Sequence, residues 1–332
     1  MLGISLRGPG ETGSSKLGCP LSDQGCCVNL GDNMLLKNSS LYFDSNFFYD
    51  CFSGEISEVD LAKLDTCVAA NNIRCFYSVI SFIEIASHIN EREKSDFSKF
   101  QALIRCIRSI CNDNILPYPE MSLATILGTD LPPVEDVNGF NNLIKLISQA
   151  PDYDTLVQGQ YVEWDKGLAY VTYNEDKLAK FRERYESLYV REMYINVIDI
   201  VNPGYYKRLA KDKPPRVTNK EELKKINAYL DSSVFKRIFL DVCYCKVARV
   251  GIGSLVGVVG EVLANEKIDK ISAYFEGYKS IIRKNVNDGY SIEKNKNDYN
   301  DLHYLIYLGL SDNICFITGE KNLRKKIVNS PQ

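Results

Sequence analysis

Short apolar runs separated by amphipathic segments make up the pattern of the chain from residue 39 onward. Three runs have the length and the β-branched or aromatic content of buried strands, and they cover residues 41–43, 73–77 and 314–317. Between them, apolar residues recur at helical spacing, most clearly over 97–111. Strands that alternate with helices predict an α/β fold, here a three-layer α/β/α sandwich on a central parallel sheet.

Helix starts are marked by capping sequences. Ser57 precedes a helical pattern as a plausible cap, and Ser81 followed by Glu84 has the S-x-x-E form of a capping box. A further helix is predicted over 301–310, directly before the last predicted strand.

The middle of the chain differs in character. Residues 131–240 are charged and rich in tyrosine, with helices predicted over 177–194 and 221–240 and a loop over 211–218. Over 166–240 there are 16 Lys or Arg against 10 Asp or Glu, so this part is locally basic. The predicted organisation is a disordered leader (1–38), a first α/β part (39–130), a mainly helical insertion (131–240) and a second α/β part (241–332).

Composition narrows the class of protein. The 332 residues are 45% hydrophobic and 25% charged with a net charge of −3, which predicts a soluble globular protein without an overall basic field. Eleven cysteines without CxxC pairs or a signal peptide predict reduced thiols in a cytoplasmic protein rather than a zinc site. The nearly uncharged segment 250–260 is too short to span a bilayer and fits no phosphate-binding glycine motif, so no membrane association is expected.

Carboxylates follow or flank the predicted buried strands and helices. Asp44 ends the first strand, Glu84 lies in the second capping sequence, and Asp301 and Glu320 bracket the last strand. Acidic groups gathered at buried strand ends repel one another until a cation neutralises them. Such a set suits Mg²⁺ or Mn²⁺ and phosphodiester hydrolysis.

In order and context, these residues resemble the PIN domain, a metal-dependent nuclease fold found in many bacterial toxin ribonucleases. The resemblance rests on Asp44-Ser45-Asn46, on Glu84, on Asp301 with Leu302-His303, and on Thr318-Gly319-Glu320, and it covers about 39–130 and 241–327. Asp298 is an alternative to Asp301, which is favoured because its distance to Thr318 matches one helix, a turn and a strand. Two departures are Glu320, where the family usually has Asp, and the long insertion.

The resemblance implies a role for each residue. Asp44, Asp301 and Glu84 would bind the metal, and Glu320 would complete the catalytic carboxylates. Asn46, Thr318 and Asp298 would support the ligands through hydrogen bonds.

Structural alternatives stay open for four of these residues. Asp44 is also suited to cap the next helix, Glu84 to complete a capping box with Ser81, and Asp298 to begin a helix. Glu320 fits an exposed surface position as well as it fits a position in the site. Of the two histidines, His303 is predicted to lie in the core and His88 on a helix surface.

Basic and aromatic residues suggest where nucleic acid would bind. Rings can stack on unpaired bases while Lys and Arg meet phosphates, although a solvated charged loop is the default interpretation of such a segment. The candidates are Tyr205, Lys207, Arg208, Lys211, Lys213, Arg216, Lys321 and Arg324.

The sequence therefore predicts a Mg²⁺- or Mn²⁺-dependent endoribonuclease with RNA as its partner. The alternative is an inactive PIN-like module that binds RNA or protein. An antitoxin or other protein partner and a homodimer remain open, as do the RNA target and the number of metals.

Overall fold

The computed structural model describes parts of the chain between residues 38 and 318. The described ranges are 38–87, 94–129, 137–158, 160–164, 167–171, 198–209, 216–248, 261–291 and 294–318. Several predicted features lie outside these residues, namely the leader 1–38 apart from its last residue, His88, the helix 177–194 and the segment 250–260.

Two compact units make up the chain. The first comprises Met1–Leu116, Glu135–Arg182 and Asn313–Arg324, and the second comprises Pro117–Val134, Glu183–Asp312 and Lys325–Gln332. The units divide the chain at other positions than the predicted boundaries near 131 and 240. Of the predicted second α/β part, only the segment 313–324 belongs with the first strands.

A four-stranded, all-parallel sheet forms the centre of the first unit. Its strands are β1 (Ser40–Phe43), β2 (Arg74–Ser78), β3 (Ile115–Leu116) and β6 (Ile314–Ile317), in the order β3-β2-β1-β6. Short apolar runs suit strands that are covered on both faces. The predicted α/β fold on a parallel sheet is confirmed, and the arrangement is compatible with the predicted sandwich.

Helices connect β1 to β2 and β2 to β3, as parallel strand connections require. Phe43 on β1 packs against Phe47 of the next helix, with ring centroids 4.3 Å apart. The predicted cap at Ser57 is confirmed, because its side chain accepts a hydrogen bond from the Asp60 amide. The helices are α1 (Ser45–Ser53), α2 (Glu58–Asn71), α3 (Val79–Ser87), α4 (Lys94–Cys111), α6 (Val137–Gln149) and α7 (Tyr153–Gln158).

A β-hairpin that was not predicted lies within the predicted insertion 131–240. Strands β4 (Gln160–Trp164) and β5 (Gly167–Val171) pair antiparallel, with Trp164 opposite Gly167. The strands are rich in aromatic and β-branched residues, which favour extended backbone. The prediction missed them because the two residues between them are not a typical hairpin turn pair.

Helices with an aromatic core make up the described part of the second unit. The ring of Phe239 lies 4.9 to 5.3 Å from those of Tyr274, Phe275 and Tyr278. The helices are α5 (Pro119–Leu127), α8 (Tyr205–Leu209), α9 (Lys220–Leu230), α10 (Ser233–Ala248), α11 (Glu261–Lys270), α12 (Ser272–Asp288) and α13 (Lys296–Ile306).

Helix α12 approaches α13 closely at a glycine. A Cβ atom on Gly277 would lie 2.7 Å from Leu302 Cδ2 and 2.9 Å from Leu305 Cδ1, so a larger residue would force these leucine side chains to shift. Two predicted helices differ in extent. The predicted helix 221–240 is broken into α9 and α10 at residues 231–232, and α13 begins five residues before the predicted start at Asp301.

The cysteines of the described residues are all free thiols. Five of these eight are buried, and Cys51, Cys106 and Cys315 are half-buried. Within the described ranges, no helix combines the length and apolar character needed to cross a membrane.

Candidate functional site

The candidate site lies where the strand order of the parallel sheet reverses. From β1 the chain proceeds outward to β2 and β3, and it returns to the other side of β1 as β6. Phe43 and Ile317 are paired at the carboxyl ends of β1 and β6, so Asp44 and Thr318 follow two neighbouring strands. In open parallel sheets, ligands bind in the crevice outside such a reversal point.

Asp44 is a buried helix cap. Its side chain is 3% exposed, and Oδ1 accepts a hydrogen bond from the backbone N–H of Phe47 at 2.8 Å. Oδ2 accepts a hydrogen bond from the Thr318 hydroxyl, which confirms the prediction that Thr318 bonds a carboxylate. The α1 N-terminus also favours negative charge at this position. The capping alternative for Asp44 is thus confirmed, and a cap leaves the ligand role open.

Glu84 reaches the same edge of the sheet from α3. Its Oε2 accepts a hydrogen bond from the Ser45 hydroxyl at 2.7 Å, and its side chain is half-buried. Tyr49 lies close enough to Glu84 for the charge of that carboxylate to affect the pKa of the Tyr49 phenol. Burial chiefly raises the pKa of the Tyr49 phenol, and the negative charge of Glu84 raises that pKa further. Sequence analysis assigned no role to Ser45, which was named only as part of the Asp44-Ser45-Asn46 motif, or to Tyr49. The available signal for Ser45 was its place directly after Asp44, at the first helical position.

The predicted capping box of Ser81 and Glu84 is wrong. Helix α3 already begins at Val79, and the Ser78 hydroxyl accepts a hydrogen bond from the Ser81 backbone N–H at 3.1 Å. Ser78 therefore caps α3, and the Glu84 carboxylate accepts a hydrogen bond from Ser45 rather than completing a capping box. The sequence signal for this cap was Ser78 itself, a serine directly before the first residue of the helix.

Buried hydroxyl groups lie between β1 and α3 at this edge. The Tyr42 hydroxyl donates to Ser78 Oγ at 3.0 Å, and Ser78 Oγ is 3.1 Å from Ser81 Oγ. Tyr42, Ser78 and Ser81 are all fully buried. A satisfied network of this kind holds the start of α3, and therefore Glu84, in a defined position relative to β1.

Asp298 and Asp301 belong to the second unit. Asp298 lies in the first turn of α13, which confirms its helix-start interpretation, and it accepts a hydrogen bond from the Tyr290 hydroxyl. Burial is the first cause that raises the pKa of Tyr290, and the hydrogen bond to Asp298 and the charges of both aspartates add to it. Asp301 is half-buried on the same helix.

The remaining predicted site residues are placed as follows. Asn46 is half-buried in the first turn of α1. Glu320 lies outside the described residues. Among the residues that the structure describes, no three His, Cys, Asp or Glu side chains are grouped so that they could hold a metal ion. Of the three predicted metal ligands, Asp44 and Glu84 lie in the first unit at the same edge of the sheet, and Asp301 belongs to the second unit.

The predicted nucleic-acid surface is only partly described. The Tyr205 ring is fully buried in the second unit, so the prediction that it stacks on a base is wrong. Lys207 and Arg216 are exposed, and Arg208 donates to the Pro203 carbonyl at 2.9 Å. The other candidates, Lys211, Lys213, Lys321 and Arg324, lie outside the described residues.

A second buried polar group lies in the second unit. Lys246 Nζ contacts His303 Nε2 and lies 3.6 Å from Glu120 Oε1. His303 is fully buried, which confirms its predicted core position. Burial lowers the pKa of both Lys246 and His303, and the positive charge of Lys246 lowers that of His303 further. We call Lys246, His303 and Glu120 the lysine cluster.

Comparison of the chain with protein families, with characterised proteins and with solved structures gave no match. The PIN-domain resemblance therefore stays a prediction, and the functional argument rests on the residues at the sheet edge.

Proposed function

We propose that the chain is a metal-dependent nuclease that hydrolyses RNA with a carboxylate-bound Mg²⁺ or Mn²⁺. The observation that carries the proposal is the meeting of Asp44 with Thr318, and of Glu84 with Ser45, at the carboxyl edge of a parallel sheet. Asp44 and Thr318 follow the two strands between which the strand order reverses, the usual position for a ligand. We call these four residues the edge cluster.

The donor chemistry of the edge cluster suits such an ion. Asp44 and Glu84 supply carboxylate oxygens, which Mg²⁺ and Mn²⁺ prefer. A carboxylate can accept a hydrogen bond with one lone pair and bind a cation with another. When bound, the ion would lower the pKa of a water molecule and offset the negative charge that builds on the phosphate.

The chain's own residues would orient the ligands. Thr318 and the Phe47 amide fix the two oxygens of Asp44, and Ser45 fixes one oxygen of Glu84. Such hydrogen bonds set the direction in which a carboxylate presents its lone pairs. Glu320 and Asn46, of the same unit, are the further proposed carboxylate and supporting residue, and Asp301 and Asp298 stay predictions from the PIN-domain resemblance.

Positive side chains would bind the RNA backbone. Lys207 and Arg216 are exposed and Arg208 is half-buried in the second unit, and all three are retained as phosphate contacts. Lys211, Lys213, Lys321 and Arg324 belong to the same proposal. RNA binding through these residues should weaken as salt rises, because each phosphate contact releases a counterion.

Calorimetric titration of Mn²⁺, with RNA cleavage measured on the same samples, tests the proposal. We expect Asp44→Asn to abolish both metal binding and cleavage while circular dichroism stays unchanged. Asp65→Asn is the matched control, because Asp65 is an exposed aspartate on α2 of the same unit. Full cleavage by Asp44→Asn would rule out the proposed site.

A non-catalytic module that binds RNA or protein is the second candidate. It is favoured by the structural role of Asp44 as a helix cap and by the lack of a three-ligand metal group among the described residues. RNA affinity that persists without cleavage under Mg²⁺ or Mn²⁺ would select this candidate over the nuclease.

A toxin role in the cytoplasm, neutralised by an antitoxin, would be one biological setting for the nuclease. The free cysteines of the described residues are consistent with a reducing compartment. Growth arrest on expression that Asp44→Asn removes would support this setting, and harmless expression of the wild-type chain would count against it. Sedimentation analysis would show whether the chain is a homodimer.

A further inference from the structure

Two aromatic side chains lead along α1 away from the edge cluster. Ser45, Tyr49 and Phe52 are spaced four and three residues apart, so they are neighbours on one face of the helix. Ser45 Oγ donates to Glu84 Oε2 at 2.7 Å, which ties the start of this face to the edge cluster. We call Tyr49 and Phe52 the aromatic stripe. It therefore begins one turn from the proposed site.

Exposure distinguishes Phe52 from the other phenylalanines of α1. Phe47 and Phe48 are 2% and 0% exposed and belong to the core, whereas Phe52 is 43% exposed and Tyr49 is half-buried. Within the described ranges, Phe52 is the one phenylalanine among the exposed large apolar side chains. A flat ring in water is stabilised by a partner that covers its face. The aromatic stripe thus offers ring surface to a ligand.

The aromatic stripe carries no charge. Asp50, the one charged residue of α1, comes directly after Tyr49 and two positions before Phe52, and residues at these spacings do not face each other on a helix. Burial first, and the charge of Glu84 second, raise the pKa of the Tyr49 phenol, so this ring is neutral at physiological pH. Neutral rings stack on bases of any sequence and do not repel a polyanion.

The rings lie within a few nucleotides of the edge cluster. An α-helix rises about 1.5 Å per residue, so Tyr49 and Phe52 lie roughly 6 Å and 10 Å beyond Ser45 along the axis of α1. A stacked nucleic-acid strand advances about 3.4 Å per nucleotide. If a phosphate is bound at the edge cluster, the rings are therefore level with bases about two to three nucleotides away.

We propose that the aromatic stripe stacks on unpaired bases, and that the RNA bound at the edge cluster is single-stranded. The inference rests on the proposed function, because it takes the edge cluster as the position of the phosphate. Bases of an RNA helix are stacked and paired, and proteins recognise such a helix by its shape and backbone instead. Unpaired bases can leave the strand and lie on aromatic rings. The aromatic stripe therefore selects single strands over duplexes.

Fluorescence anisotropy of a short labelled RNA, titrated with the full chain in EDTA, tests the proposal without metal or cleavage. Phe52→Ala and Tyr49→Ala should each weaken the binding of single-stranded RNA roughly 5- to 150-fold, as the loss of one base–ring stack does. Tyr49→Phe keeps the ring and should bind as the wild type does. Val59→Ala is the matched control, because Val59 is 63% exposed on α2 of the same unit and is not aromatic.

A duplex of the same sequence provides the second arm. The wild type should bind the duplex more weakly than the single strand, and Phe52→Ala should reduce this preference while Val59→Ala retains it. Unchanged affinity of Phe52→Ala for the single strand would overturn the proposal, as would equal losses on both RNAs or no binding by the wild type. Dissociation of a dimer by Phe52→Ala with unchanged RNA affinity would make this face a protein contact and overturn the proposal too.

The two proposals fail separately. If stripe variants bind RNA normally and Asp44→Asn does not cleave it, the aromatic stripe is discarded and the nuclease site stands. If Asp44→Asn cleaves fully and Phe52→Ala weakens binding, the rings bind RNA but the edge cluster is not the site of cleavage, and the inference that depends on that position is overturned.

Discussion

The edge cluster and the lysine cluster both bury ionisable groups, yet they satisfy them in opposite ways. In the edge cluster, the Asp44 carboxylate accepts hydrogen bonds from two neutral donors, the Phe47 amide and the Thr318 hydroxyl. In the lysine cluster, Lys246 meets the imidazole of His303 and the carboxylate of Glu120. Neutral donors stabilise an anion without adding positive charge, whereas Glu120 opposes the charge of Lys246 locally.

This difference shows why burial of a charged group is by itself a weak sign of function. Burial lowers the pKa of Lys246 and the nearby Glu120 raises it, as in many structural ion pairs of protein interiors. At the edge cluster, two carboxylates share a sheet edge where parallel folds bind ligands. Substitutions at the two clusters should therefore have different effects on stability.

The largest expected effect is on the stability of the edge cluster. Asp44→Ala removes the cap of α1 and leaves the Thr318 hydroxyl without this acceptor, so the free energy of unfolding should fall by about 2–4 kcal/mol. Asp44→Asn retains a capping oxygen and should stay within about 1 kcal/mol of wild type. Urea unfolding followed by circular dichroism measures both. Equal losses in the two variants would contradict the capping role.

The Thr318 hydrogen bond should have the next largest effect. Thr318→Val keeps the shape of the side chain but removes a donor to a carboxylate, and should cost about 1.5–3 kcal/mol. A double-mutant cycle with Asp44→Asn should give a coupling energy above about 0.5 kcal/mol. Thr66→Val, at an exposed α2 position, is the matched control. Additive effects of Thr318→Val and Asp44→Asn would mean that the Thr318–Asp44 hydrogen bond contributes no coupling energy to stability.

The lysine cluster should make stability depend on pH. The folded-state pKa of His303 is lowered below 6.5, so under acidic conditions the unfolded chain takes up a proton that the folded chain does not. Stability from this group is therefore fully present above pH 6.5 and is lost as the pH falls below it. Between pH 7.5 and 5.5 the wild type should lose about 1.4 kcal/mol more than His303→Asn. Urea unfolding measures this difference. The same pH dependence in both proteins would contradict a lowered pKa of His303 in the folded state.

The smallest expected effect is at Ser45. Removal of its hydrogen bond to Glu84 in Ser45→Ala should cost about 0.5–1.5 kcal/mol. If the edge cluster binds Mn²⁺, the same variant should also bind it more weakly, because Glu84 loses the group that orients it. Ser53→Ala, at the other end of α1, is the control for stability and for calorimetry. Unchanged Mn²⁺ affinity in Ser45→Ala would mean that Ser45 does not orient Glu84 for metal binding.

The strands of the sheet could be predicted because their signals are local. Residues 41–43, 73–77 and 314–317 are short, mainly apolar runs bounded by polar residues, and β1, β2 and β6 match them within one residue. The cap at Ser57 was equally local. Strand β3 has two residues, Ile115–Leu116, too few to show any periodicity, so its place at the sheet edge follows only from pairing with β2.

The contacts of the candidate site were less predictable than its carboxylates. Asp44 and Glu84 were identified from their place after apolar segments, but the Ser45–Glu84 bond joins residues 39 positions apart. Which hydroxyl Glu84 meets depends on how α1 packs beside α3, and on Ser78 rather than Ser81 starting that helix.

The pairing of β1 with β6 also determines when the edge cluster can form during protein synthesis. The Thr318–Asp44 bond spans 274 positions, so at roughly 5–20 residues per second the ribosome needs on the order of 14–55 seconds between the two residues. Until then, β1 lacks its partner on the β6 side, an exposed edge of the kind that chaperones protect. A nascent chain thus carries Asp44 long before it carries Thr318, and the completed cluster forms only after both have been synthesised.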